Sequence, residues 1–271
     1  RRLEDAGCQV IYGLPSYKVH SKLCLVTRQT AEGVHFLTQI GTGNYNEKTA
    51  TLYTDLSLIT ANRNIGRDAQ EVFRTLLLGE TVEKSTDLLV APRGLQEAIL
   101  EKIRKEGRKA EEGRGGYIGL KLNALTDKDI IDALIEASEK GAVIQLLIRG
   151  ICCLIPGISG KTDHITVHSV VGRYLEHSRI YRFGQGDAEE IYIASADFMT
   201  RNTLRRVEVA APIYDEENRN RVREIFDLGF RDTEKGKVLL VDGLYHDPEN
   251  PGDERFDSQD FFYREAYKSV E

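Results

Sequence analysis

No apolar run in the chain approaches the roughly 20 residues that a helix needs to cross a bilayer, so no transmembrane segment is expected. Cysteine is scarce, with only Cys8, Cys24, Cys152 and Cys153. Their spacing fits no zinc ligand set, and adjacent Cys152 and Cys153 are badly placed to pair with each other. They read as buried free thiols of a protein in a reducing cytoplasm. Excess positive charge is also missing. The net charge is −6, which argues against broad nucleic-acid binding and leaves a polyanion only a locally basic pocket to occupy. The start, Arg1-Arg2-Leu3-Glu4, carries no initiator Met and no signal-peptide pattern. With strand-like Gln9-Val10-Ile11 following at once, it reads as a piece of a longer protein. What is present is 271 residues, 41% apolar and 30% charged, a soluble globular composition with room for one large or two ordinary domains.

The pattern of apolar residues gives an α/β chain. Residues 1–13 read as a helix end and a strand. Residues 17–28 and 34–40 read as strands, and Leu52 to Ile59 as a half-buried strand with Tyr53, Asp55 and Ser57 on its polar face. Asn64 is a plausible N-cap for a helix that buries Ala69, Val72, Phe73, Leu76 and Leu77 and stops at Gly79. A second unit begins near Asp87. It has a helix over 94–106, an exposed loop over 106–116 and a strand over 117–122. Thr126 with Asp129 then resembles a capping box for a helix that stops at Gly141. The nearly all-apolar Val143–Ile148 predicts a strand covered on both faces, and strand, helix, strand in this order predicts parallel pairing. Strands at 165–171, 178–183, 190–195 and 206–213, a helix over 216–229 and a short strand at 238–241 follow. The remainder is acidic and reads as a loosely held tail.

Two stretches carry chemistry. In Tyr17-Lys18-Val19-His20-Ser21-Lys22, an imidazole and an ammonium two residues apart face one side of a strand. The turn Gly41-Thr42-Gly43-Asn44-Tyr45-Asn46 can offer backbone N–H groups to an anion. The pattern returns in the second unit as Tyr174-Leu175-Glu176-His177-Ser178-Arg179, with Ser195-Ala196-Asp197 as its small-residue turn. One His-x-cation triplet arises easily by chance, but two, each followed about twenty residues later by its turn, point to duplicated half-sites about a pseudo-twofold axis. In such a site one imidazole attacks while the other serves the leaving group.

These paired elements resemble the phospholipase D superfamily. More closely, the segments around His20, Gly41–Asn46, Leu52–Leu58, Arg149–Leu154, His177 and Ser195–Asn202 resemble the C-terminal catalytic half of the bacterial polyphosphate kinase family, from about residue 10 to 230. The resemblance implies two phospholipase D-like α/β units with mixed sheets flanked by helices, related by a pseudo-twofold. The first unit, truncated at its N-terminus, covers 1–86, and the second, with a C-terminal tail, covers 87–271. It further implies reversible transfer of the γ-phosphate of ATP to inorganic polyphosphate through a phosphohistidine, with Mg²⁺, in a cytoplasmic homo-oligomer that can lie peripheral to the membrane. His20 matches the phosphorylated histidine, and Tyr53, Arg149 and His177 match positions that contact the nucleotide. Arg179 stands where the wider pattern has Lys, and the Asp expected five residues on is replaced by Thr27 and Gly184. The family's metal-holding arginines would lie upstream, so no metal ligand is assigned and little turnover is expected from these residues alone.

On the chemistry of the residues, His20 is the candidate nucleophile and Lys22 offsets charge on phosphoryl oxygens. His177 is either the acid/base toward the leaving phosphate or the orienter of His20. Arg149 ends an apolar strand, where a charge faces the ligand crevice and its planar fork suits phosphate. Tyr53 either packs on the sheet or stacks a base. Asn44, Arg179 and Arg206 are candidate phosphate ligands or ordinary polar residues. Two other functions compete: a phospholipase D-type phosphodiesterase or nuclease with a covalent histidine, and an inert polyanion-binding module.

Overall fold

The computed structural model describes residues 1–249 and 255–268. The elements run α1 (Arg2–Asp5), β1 (Lys18–Val19), β2 (Lys22–Thr30), β3 (Gly33–Gly41), α2 (Glu47–Ala50), β4 (Tyr53–Thr54), β5 (Ser57–Thr60), α3 (Arg63–Leu77) and β6 (Leu89–Val90). They continue as α4 (Leu95–Glu111), β7 (Tyr117–Leu122), α5 (Lys128–Glu139), β8 (Val143–Ile148), β9 (Ile165–Val170), β10 (Leu175–Glu176), β11 (Arg179–Phe183) and β12 (Glu190–Ala194). The last are α6 (Thr200–Arg205), β13 (Arg206–Val207), β14 (Val209–Pro212), α7 (Glu216–Phe230), β15 (Gly236–Leu239), β16 (Tyr245–His246) and α8 (Ser258–Lys268).

The main sheet is mixed, in the order β16-β15-β9-β8-β7-β11-β12-β14-β6, and β2-β3-β5 form a separate antiparallel sheet. β7, β8 and β9 run parallel, joined first through α5, as the strand-helix-strand pattern predicts. Alternation along β8 explains its continuous apolar run. Ile144, Leu146 and Ile148 pack with Ile99, Ile103 and Leu134 of α4 and α5, while Leu147 joins Phe226 and Val222 of α7 on the other face. A third cluster joins the two halves: Ile65, Ala69 and Val72 of α3 meet Ile40 of β3 together with Val90, Val209 and Ala211 of the main sheet.

Several local expectations are corrected. Residues 9–13 form no strand. α3 is capped by Asn62, whose Oδ1 accepts from Asn64 and Ile65 N–H, so Asn64 already lies inside the helix. Phe73 and Leu77 remain exposed. The polar stretch after Glu106 extends α4 to Glu111. Glu106 is buried there because its carboxylate accepts from Lys109 Nζ at 2.6 Å and from Tyr117 N–H at 3.2 Å. α5 is capped by Asp127, not Thr126. Cys8, Cys24 and Cys153 are exposed rather than buried. Part of the expected loose tail is the helix α8, which sits with Ser258 and Gln259 buried against the second unit. No helix among the described residues is long and apolar enough to cross a membrane.

The passage between the halves is clamped by one carboxylate. Asp68 of α3 is buried and accepts N–H donation from Thr86 at 3.0 Å, Asp87 at 2.7 Å and Leu88 at 2.9 Å. Removing it leaves backbone donors unpaired, each a desolvation cost of about 1–3 kcal/mol. Asp68→Ala is therefore expected to lower the unfolding free energy by about 2 kcal/mol or more in urea titrations. A change within 0.5 kcal/mol, the usual size of a surface effect, would show that these donors find water instead.

Candidate active site

The chain changes partners at each histidine. β1 runs parallel to β13, with Lys18 opposite Arg206 and Val19 opposite Val207. The N–H groups of His20 and Ser21 then both donate to the Val207 carbonyl, at 2.9 and 3.0 Å. In the same way β10 runs parallel to β4, with Leu175 opposite Tyr53 and Glu176 opposite Thr54, and Ser178 N–H donates to the Thr54 carbonyl at 2.9 Å. His20 and Lys22 thus do not share one strand: the expected strand over 17–28 breaks at His20-Ser21. Likewise the expected strand from Leu52 to Ile59 splits, with Tyr53–Thr54 pairing to the second half and Ser57–Thr60 to β3.

The carboxylates are exchanged across the halves too. His20 Nδ1 lies 2.9 Å from Glu208 Oε2, and His177 Nδ1 lies 2.8 Å from Asp55 Oδ1. A carboxylate only accepts, so the Nδ1 of each ring carries the proton that it donates, which in the neutral tautomer leaves the lone pair on Nε2. Both carboxylates are held by one device. Thr42 Oγ1 donates to Asp55 at 2.6 Å and accepts from Leu56 N–H at 2.9 Å. Ser195 Oγ donates to Glu208 at 2.5 Å and accepts from Val209 N–H at 3.1 Å. The hydroxyl and its carboxylate are 13 residues apart in both halves. That equal spacing is the signal by which Asp55 and Glu208, missed as site residues from the sequence, could have been found.

The Gly41–Asn46 turn, expected to offer backbone N–H groups to an anion, also supports the site through its own contacts. Gly43 is needed because a Cβ there would collide with the Asp55 carboxylate, and the Thr42 carbonyl accepts from Arg179 Nη1 at 3.2 Å. Asn44 is exposed, and Asn46 caps α2. Arg179 is committed largely to protein groups. Its Nη2 and Nε donate to Asp197 at 3.0 and 3.2 Å, and its Nη1 also lies 3.1 Å from His177 Nε2. Arg149 Nε donates to Asn123 Oδ1 at 2.6 Å, and Asn123 Nδ2 donates to the His177 carbonyl at 3.2 Å and to Asp197 at 3.1 Å. The Tyr53 ring is tilted against that of His177, centroids 4.8 Å apart. Arg206 Nη1 approaches Glu208 Oε1 only to 3.9 Å, and that buried oxygen has no hydrogen-bond partner among the described residues. Of the sequence candidates, His20, Lys22 and Arg206 gather at Glu208, while Tyr53, Arg149, His177 and Arg179 gather around Asp55, Asp197 and Asn123. Lys22 feels the charges of Arg179 and Asp55 across the gap, and Asn44 stands outside both groups.

Cations and carboxylates alternate here: Lys22, Arg179, Asp197 and Glu208 are buried, Arg149 and Arg206 half-buried, and Asp55 more open. Lys22 is 5% exposed and donates to the His20 carbonyl at 2.6 Å. Burial pushes its pKa down to about 8; Arg179 and Arg206 add to that fall, while Glu208 and Asp55 oppose it. Burial, with help from Arg179, also holds His177 below the ordinary histidine range against the pull of Asp55, so its ring is neutral near pH 7. Burial opposes ionisation of Asp55 and Asp197, yet both carboxyls lie below their ordinary values. Hydrogen bonds from His177 and Thr42 do this for Asp55, and Arg179 with Asn123 for Asp197. Such a site would welcome a multiply charged anion.

Comparison with known proteins matches residues 1–82 to the family description "Polyphosphate kinase C-terminal domain 1" and residues 88–259 to "Polyphosphate kinase C-terminal domain 2". A curated polyphosphate kinase of Staphylococcus epidermidis is 45% identical over 268 residues, 99% of this chain and 36% of that protein. One of Bacillus anthracis is 43% identical over 271 residues, 100% of this chain and 39% of that protein. The crystal structure of a polyphosphate kinase from Porphyromonas gingivalis superposes with a TM-score of 0.91 at 36% identity, over 99% of this chain and 42% of that one. The chain therefore spans well under half the length of these relatives.

The buried ammonium of Lys22 has a pH signature. Between pH 8 and 10.5 the unfolded chain holds a proton that the folded chain has lost, so stability rises with pH across that window. The cost of the buried charge, fully present below pH 8, is about 3 kcal/mol at 1.36 kcal/mol per pKa unit. In urea titrations the wild type should gain on Lys22→Met by roughly that amount as pH rises through the window. A difference that does not change with pH would contradict the depressed ammonium.

Proposed function

The chain belongs to the polyphosphate kinase family, and from that premise we propose that its two halves build an ATP-dependent phosphotransferase site with His20 as the phosphoryl carrier and inorganic polyphosphate as the other substrate. One observation carries the assignment. Both imidazoles are held through Nδ1, but among the described residues only His177 has a partner at Nε2, the Arg179 guanidinium. His20 has its lone pair free for attack.

In the proposed step the Nε2 lone pair of His20 attacks the γ-phosphorus of ATP. The bond from γ-phosphorus to the β,γ-bridging oxygen breaks, and its electrons leave with ADP. The phosphoryl group then passes from Nε2 to a terminal oxygen of polyphosphate, regenerating the imidazole; the reverse sequence makes ATP. Glu208 stabilises the positive charge that develops on the ring as the N–P bond forms, as a carboxylate behind an imidazole does elsewhere. Lys22 and Arg206 offset charge on the phosphoryl oxygens. His177, neutral and held by Asp55, lies on the leaving-group side with Tyr53 and Arg149 available to the nucleotide. Arg179 acts as the brace that ties Asp197, Thr42 and His177 together, and Asn44 is left as a peripheral phosphate contact. Magnesium, which the family resemblance implies, finds no cluster of three or more candidate ligands among the described residues. The nearest carboxylates, Asp55, Asp197 and Glu208, are each already committed to a cation or an imidazole. Magnesium would arrive on the substrate phosphates, whose charge it would offset.

Rapid-quench experiments with γ-labelled ATP test the reading. Wild type should acquire acid-labile, alkali-stable label, and His20→Ala should acquire none. Glu208→Gln, which keeps the shape but not the charge, should slow labelling about 10²- to 10⁴-fold. Label retained by His20→Ala would overturn the carrier assignment.

A further inference from the structure

The strand that delivers His177 rests on an amide from the far end of the chain. Gln259, at the start of α8, is buried. Its Oε1 accepts the Tyr174 N–H at 2.9 Å, while its Nε2 donates to the Tyr174 carbonyl at 2.8 Å and to Glu176 Oε1 at 2.7 Å. One side chain thus reads both backbone groups of the residue before β10, as a neighbouring strand would. Gly172 is close enough that a Cβ would come within 2.6 Å of the same Oε1.

The polar chain continues from there to the histidine. Glu176 Oε2 lies 3.0 Å from Lys121 Nζ and accepts from Thr54 Oγ1 at 3.1 Å. Thr54 Oγ1 in turn accepts from His177 N–H at 3.4 Å. Lys121, 2% exposed, donates to Ser178 Oγ at 2.8 Å, so the residues on both sides of His177 are gripped by one buried network. α8 is itself anchored, since Asp232 accepts from Ser258 N–H and Oγ at 2.7 and 2.6 Å. Among the described residues, no side chain outside the first half bonds to the backbone of Val19 in the same way. The residue before His20 is Val19, exposed and paired with Val207.

We propose that Gln259 is a positioning residue for His177, so that α8 sets the place of one of the two imidazoles and leaves the other alone. Its consequence for turnover rests on the phosphotransfer reading above, but its structural content does not. The groups that face the His177 ring are Asp55, Tyr53, Arg179 and Asp197, whereas the Gln259 amide bonds to Tyr174 and Glu176. It acts through the backbone of residues 174–178, by moving the ring relative to Asp55 and Arg179.

The test is a pH titration of the protein's histidines by ¹⁵N NMR, because each ring reports its own surroundings. In Gln259→Ala the His177 signals should move and its pKa should shift by about 0.5 unit or more, toward that of a freer imidazole. His20 should stay in place. Gly172→Ala, which displaces the amide without removing it, should reproduce the shift and serves where Gln259→Ala does not fold. Unchanged His177 signals in the folded variants, or equal shifts at His20 and His177, would overturn the proposal. In single-turnover labelling from ATP, Gln259→Ala should slow the wild type about tenfold yet cost less than about twofold in a His177→Ala background, since the two act as one unit. Equal losses in both backgrounds would count against the positioning role. No effect of His177→Ala itself would instead count against the phosphotransfer reading, with the NMR outcome still standing.

Discussion

The structure depends on an exchange: each half of the chain supplies the carboxylate that holds the other half's histidine. Glu208 holds His20, and Asp55 holds His177. Glu208 is fully buried, and a buried carboxylate without a partner would cost several kcal/mol. Each carboxylate takes one hydroxyl donor from its own half and its imidazole donor from the other. The short parallel pairings of β1 with β13 and of β4 with β10 follow from this, because only a chain that crosses over for two residues can deliver an imidazole to the opposite carboxylate.

Much local detail answers the same constraint. Gly43 is small so that Asp55 can approach, and Thr42 and Ser195 spend their hydroxyls on the two carboxylates. The apolar cluster between α3 and the main sheet fixes the distance over which the exchange takes place. The two halves are nonetheless unequal. The second has Arg179 pinned by Asp197, with Arg149, Asn123 and Lys121 packed behind it. The first has a lysine whose charge is kept at a cost and a histidine with one nitrogen free. The proposed division of roles, one ring as carrier and the other braced, rests on that inequality.

The regular parts of the fold were legible in the sequence because a single pattern governs them. β8 reads as apolar on both faces and is covered on both, and α5 stops at Gly141, which has the positive φ that such a stop requires. The paired His-x-cation segments were legible as a repeat. The places where local pattern failed are those where a distant group decides. Leu52–Ile59 alternates like one strand, but Asp55 must turn inward to meet His177, 122 residues away. His20 looks like a strand residue, yet its N–H goes to Val207. Glu208 sits between the short strands β13 and β14, and only its distance in sequence from Ser195, the same as that from Thr42 to Asp55, marks it as half of a dyad. The residues around α8 are polar enough to suggest a loose tail, and the buried amide of Gln259 shows only once Tyr174 lies beside it.

The proposed phosphotransfer requires the exchanged pairs to aim two imidazoles at one phosphate. A crystal structure of the protein with a non-hydrolysable ATP analogue tests it most directly, read for the position of the terminal phosphorus. The account predicts that phosphorus about 3–3.5 Å from His20 Nε2, in line for attack, with the bridging atom turned toward His177 and both Nδ1–carboxylate bonds intact. An analogue whose terminal phosphate reaches only one imidazole's outer surface, or a ring that has left its carboxylate to bind it, would contradict the account.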